Sequence, residues 1–153
     1  MRMRLTVFAT VVLAAGCGGS KSSKPSPHTV APPPATTSAA PATATAGPVK
    51  ATLQAPTHTP KINLKWRYTV KVSDRHGRLL RGKITVQIVD PLGTAHAVQY
   101  DDTKKDITNR PFPGVFRDYL EFPADSRGYK LTVRAIAKTS NGQVTITYPV
   151  TPR

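Results

Sequence analysis

Through the last two thirds of the chain, apolar and polar residues alternate with a period of two. In WRYTVKVSD, Trp66, Tyr68, Val70 and Val72 fall on one side, and Arg67, Thr69 and Lys71 on the other. GKITVQIVD repeats the pattern with Ile84, Val86 and Ile88. YKLTVRAIAKT gives Leu131, Val133, Ala135 and Ala137, and QVTITYPV gives Val144, Ile146, Tyr148 and Val150. Successive side chains of a strand point to opposite faces, so this alternation predicts half-buried β-strands. Weaker patterns cover residues 95–100 and 114–122, the latter with Val115, Phe116, Tyr119, Leu120 and Phe122. A first strand over residues 51–54 brings the set to about seven.

Between these runs lie DRHGRLLRG, DPLG, ADSRG and SNG. Each supplies a Gly, Asp, Asn or Pro that sets an unusual φ or fixes a bend. TSNGQ, between two alternating runs, predicts a tight hairpin, because Asn-Gly suits a type I′ turn. No segment shows an apolar stripe of helical period. Short strands separated by turns over about 100 residues predict an all-β fold, an antiparallel β-sandwich.

The first fifty residues follow other rules. Arg2 and Arg4, an apolar run from Leu5 to Leu13, and the small residues Ala14, Ala15 and Gly16 have the form of a secretory signal. The run is well short of the roughly 18 residues that span a bilayer. Cys17 follows at once and is the only cysteine in the chain. An unpaired thiol sent to an oxidising compartment calls for an explanation. LAAGC followed by Gly-Gly-Ser resembles the bacterial lipobox, with Ala14 standing where Leu is usual. That resemblance implies a signal peptide over residues 1–16 and a diacylglycerol on Cys17, which becomes the mature N-terminus. It places the protein on the outer face of the cytoplasmic membrane, in the cell envelope. The alternative is an ordinary signal peptide that leaves a free thiol.

From Gly18 to Lys50 the chain has no aromatic and no acidic residue. Such a segment buries too little surface to offset its ordering entropy, and its Pro and Ala-Thr content favours extended conformations. Residues 17–50 therefore read as a disordered stalk, reaching on the order of 90 Å if fully polyproline-like and roughly 30 Å as a coil. Residues 51–153 form the folded domain. Its order W-x-Y-x-V-x-V-x-D, then HGRLLRG, then ITVQIVD and a closing hairpin resembles bacterial immunoglobulin-like domains. The resemblance implies an immunoglobulin-like sandwich and fixes no site. The Cys…Trp…Cys spacing of antibody domains is absent, which leaves Trp66 as the central core aromatic.

Chemistry is sparse. His28, His58, His76 and His96 are scattered, the only Glu is Glu121, and no metal, phosphate or nucleophile motif occurs. Ser73, Asp74 and His76 share one turn, whereas a catalytic triad joins distant segments. The loop DDTKKD brings Asp101, Asp102 and Asp106 together, but Lys104 and Lys105 within it oppose Ca²⁺. A non-catalytic protein without metal or cofactor is expected.

Charge is the more suggestive feature. The chain carries +14, from 22 basic and 8 acidic residues. Arg67, Lys71, Lys83, Lys130, Arg134 and Lys138 fall on the outward side of the expected strands. If those strands are neighbours, they form a basic stripe for an anionic partner: wall polymer, acidic glycan or lipid headgroups. Exposed stacking aromatics are lacking, so specific nucleic-acid recognition is not expected. The reading is a lipid-anchored envelope protein for adhesion, scaffolding or polymer binding. The alternative is an accessory lipoprotein that docks on a membrane protein complex by a strand edge or loops.

Overall fold

The computed structural model describes residues 39–100 and 103–153. Eleven strands are present among them: β1 (Ala42–Ala46), β2 (Val49–Gln54), β3 (Trp66–Asp74), β4 (Gly82–Val89), β5 (Ala95–Ala97), β6 (Gln99–Tyr100), β7 (Lys105–Asp106), β8 (Arg110–Phe112), β9 (Val115–Leu120), β10 (Leu131–Thr139) and β11 (Gly142–Val150). One 3₁₀ turn spans Ala124–Ser126. Every strand pairing is antiparallel. The first sheet has the order β1-β2-β3-β9, and the second β11-β10-β4-β5, with β8 also on β4. The expected all-β antiparallel sandwich is therefore what the chain forms.

The alternating residues meet in one core. Trp66, Tyr68, Val70 and Val72 from β3 join Ile84, Val86, Val133, Ala135, Val144, Ile146 and Tyr148. The Trp66 ring lies 5.9 Å from Phe122, edge-on, and 5.8 Å from Tyr148, tilted. Its Nε1–H donates to the Thr57 carbonyl at 2.9 Å, so the polar end of the indole is satisfied where it is buried.

Four features depart from the sequence expectation. First, the sheet begins at Ala42 rather than Ala51, because ATATA pairs with β2 over its whole length. Ala42, Ala44 and Ala46 are half-buried against the core, while Thr43 and Thr45 face out. Period-two patterning operates there with side chains too small to register as a hydrophobic run.

Second, the weak 95–100 run splits at Val98, which is buried between β5 and β6. Third, Ile107 is fully buried in a segment that reads as polar. Its N–H donates to the Val98 carbonyl and its carbonyl accepts from the Val86 N–H.

Fourth, the β10–β11 hairpin turns on Ser140 and Asn141, with Gly142 already paired to Thr139. Neither Ser140 nor Asn141 has positive φ, so the turn is not type I′. The Thr139 hydroxyl accepts the Asn141 N–H and donates to the Gly142 carbonyl, which braces the loop locally.

The register also fixes the two ends of the sandwich. Loops 55–65, 90–94, 121–130 and 151–153 lie at one end. That is where the chain enters, since the Ala39 N–H donates to the Pro56 carbonyl. Loops 75–81 and 140–141 lie at the other end. Gly114 sits there at φ 101°, where a Cβ would come within 2.8 Å of Leu79 Cβ, so glycine is required.

Candidate anion-binding faces

In a strand with one buried face, the intervening residues must face water. On the first sheet these are Thr43 and Thr45 of β1, Lys50, Thr52 and Gln54 of β2, Arg67, Thr69 and Lys71 of β3, and Val115, Arg117 and Tyr119 of β9. Lys50, Arg67, Lys71 and Arg117 are all exposed. Among the described residues no carboxylate shares this face, the nearest being Asp118 at the β9 edge. Register places Arg117 opposite Thr69, one diagonal step from both Arg67 and Lys71. Lys65 extends the set, its Nζ 4.1 Å from the centre of the Tyr119 ring.

A groove of about 510 Å³ runs along the β9 edge, lined by Lys65, Arg67, Thr69, Arg117, Tyr119 and, from within, Tyr68, Tyr100 and Asp118. Its volume is in the range of small-ligand sites. Tyr68 O–H points toward Asp118 Oδ2 at 3.5 Å. Burial, then the Asp118 charge, pushes the Tyr68 hydroxyl far above the usual tyrosine range. It stays protonated and serves as a fixed donor. Arg110, on β8, stacks its guanidinium 3.4 Å above the Tyr100 ring at the same edge.

The six cations expected to form one stripe are not brought together. Arg67 and Lys71 lie on the outer face of the first sheet, and Lys83, Arg134 and Lys138 on the outer face of the second. The core lies between those faces. Lys83 and Lys138 are direct register partners, a like-charge pair. Arg134 is tied down, with Nε and Nη2 both donating to Gln87 Oε1 at 3.1 and 2.8 Å. Lys130 precedes β10 in a loop at the end where the chain enters. Cys17 lies outside the described residues.

Sequence reasoning missed Lys50, which it assigned to the stalk, and Arg117, whose strand pattern is weak. The available signal was the pairing of ATATA with the following VKATLQ, which brings Lys50 into a strand.

Two further carboxylates hold turns. Asp74 Oδ1 accepts the His76 and Arg78 N–H groups at 2.9 Å, and Oδ2 accepts Arg78 Nε–H at 2.6 Å. Burial opposes ionisation of Asp74. The Arg78 side chain and the two backbone donors outweigh it and hold the pKa below the ordinary value. Asp90 is also lowered, first by His96 at 3.0 Å and then by the Thr94 N–H. Both interaction sets are those of structural turns. Among the described residues no three His, Cys, Asp or Glu side chains converge to hold a metal, and no helix is long and apolar enough to cross a membrane. No family model, curated protein or solved structure matches this chain.

Proposed function

We propose that this protein is a non-catalytic, lipid-anchored envelope protein that holds an immunoglobulin-like domain at the cell surface and binds an anionic envelope polymer. The observation that carries the reading is the outer face of the first sheet, where Lys50, Arg67, Lys71 and Arg117 stand among threonines with no carboxylate among the described residues of that face. A one-sign face of this kind attracts polyanions and aligns with a repeating charge, while its hydroxyls offer hydrogen bonds. The second sheet offers a weaker alternative, because Arg134 is already engaged by Gln87.

The immunoglobulin-like reading is supported by strand order. β2-β3-β9 facing β11-β10-β4-β5 corresponds to an A-B-E sheet facing a G-F-C-C′ sheet, with β1 as an added strand. The anchor reading is supported by LAAGC and its preceding apolar run.

The test is retention of the full chain on an immobilised phosphodiester polymer such as polyglycerol phosphate. Retention is expected to fall steeply between about 50 and about 300 mM salt. R67E/K71E/R117E is expected to abolish it, whereas K83E/K138E retains most of it. Retention insensitive to salt, or equal in the triple variant, overturns the polymer reading. The mass of the mature N-terminus in the same preparation should correspond to diacylated Cys17, and an unmodified terminus elsewhere removes the anchor.

A further inference from the structure

Four large hydrophobic side chains among the described residues are exposed: Leu64, Leu79, Leu92 and Tyr129. Three of them are at one end of the sandwich, on three different loops. Leu64 is 55% exposed, Tyr129 56% and Leu92, in the β4–β5 turn, 92%. Nothing in the fold requires an exposed leucine at a turn tip, where a polar residue costs nothing.

The end that bears them is firmly built. Ile62 N–H donates to the Arg153 carbonyl, and Arg153 N–H to Pro60. Asn63 N–H donates to Phe122, Gly128 N–H to Pro152, and Thr151 N–H to His58. These bonds stitch segments 55–65, 121–130 and 151–153 into one platform, with the separate 90–94 turn beside it. An apolar groove bordered by Leu92, Pro91, Pro123, Tyr129 and Leu131 opens on it.

Cations flank the apolar tips. Lys61 and Lys65 bracket Leu64, and Arg127 and Lys130 bracket Tyr129, all exposed. Glu121, Asp125 and Asp90 share this end and reduce its positive excess, Asp90 being engaged by His96. Leu and Tyr at the tips with Lys and Arg beside them match a bilayer interface. There aromatic rings sit at headgroup depth and long cations reach anionic headgroups. The chain also joins the domain at this end, through Ala39. On the lipid-anchor reading a tether keeps the domain near the bilayer, and tethering makes even a weak contact effective.

We propose that the end of the sandwich where the chain enters is a bilayer contact, with Leu64, Leu92 and Tyr129 entering the headgroup layer and Lys61, Arg127 and Lys130 meeting anionic lipid. For its tether, though not for its surface chemistry, the proposal rests on the lipid-anchor reading of Cys17. It leaves the cationic face of the first sheet directed sideways, free for polymer.

The experiment uses the full chain as C17S/L92C, which has a single thiol and no acyl chain. It is labelled with an environment-sensitive fluorophore and titrated with phosphatidylglycerol–phosphatidylcholine vesicles at equal proportions. A matched C17S/N141C chain reports on the opposite end. Emission from the label at position 92 is expected to shift to the blue, with severalfold protection from an aqueous quencher, while the label at 141 is unchanged. Adding L64S/Y129S is expected to weaken the lipid titration about tenfold.

The proposal is overturned by no response at position 92, by equal responses at both ends, or by an undiminished response in the variant with both serines. A position 92 that ignores lipid but crosslinks to a membrane protein assigns the surface to a protein partner and equally overturns it. Because the reporter chain lacks Cys17, failure here is distinct from an unmodified N-terminus, which the mass measurement reads separately.

Discussion

Tyr148 is fully buried in β11, with its ring stacked on His58 at 4.3 Å, yet its hydroxyl has no hydrogen-bond partner among the described residues. Burial raises its pKa, so the group stays neutral, but an unsatisfied hydroxyl still costs about 1–3 kcal/mol. Y148F is therefore expected to stabilise the domain, raising Tm by about 4 °C for each kcal/mol recovered. An unchanged or lower Tm would point to a bound water as the missing partner. Asp74 is the opposite case, a buried carboxylate with every oxygen engaged. Its folded pKa lies below its unfolded one. The stability it contributes is thus fully present above about pH 4 and lost as pH falls through the folded value. Chemical denaturation as a function of pH should show D74N less stable than the parent at neutral pH and less sensitive to acid below about pH 4. Equal acid slopes would place the sensitivity elsewhere, Asp90 being the next candidate. Neither residue stands out in the sequence: Tyr148 reads as one more inward aromatic, and Asp74 as one more turn aspartate.

At the scale of elements, β1 is the instructive case. ATATA sits in a Pro/Ala/Thr-rich segment whose composition argues for disorder. Pairing with β2 gives its alanines a surface to bury and its backbone a set of partners that composition cannot supply. A44K places a charge on the inner side, opposite the fully buried Ala51, and is expected to cost about 1–2 kcal/mol and to expose the β2 amides to hydrogen exchange. T43K, on the outer side, should leave both nearly unchanged. Similar effects of the two would mean that β1 does not pack as a two-faced strand. The long strands β3, β4, β10 and β11 were legible because each turns one face to the core, so the apolar residues must alternate. The short strands β5 to β8 were not. Two or three residues hold too little pattern, and their pairing depends on partner strands: β5 and β8 on β4, and β6 and β7 on each other. Ile107 belongs to this group, since its burial comes from the partner strands rather than from its neighbours in sequence.

The whole molecule redistributes its charge in a way no single segment reveals. Arg67 and Lys71 share a face with Lys50 and Arg117, while Lys83, Arg134 and Lys138 occupy the opposite one. Charge reversal on one face should therefore act independently of the other, because the full core lies between them and water screens the longer path. At this scale the two proposals also separate in space, the polymer face lying on the flank of the sandwich and the bilayer contact at its end. The alternation of residues by itself determined the fold class, the inward set of the long strands and the outward direction of the cations. That information is local, because a strand's side-chain period is a property of its own backbone. Which outward cations become neighbours was decided only by the tertiary structure. Strand order and register are set by contacts between segments far apart in the chain, and so is the gathering of Leu64, Leu92 and Tyr129 at one end of the sandwich.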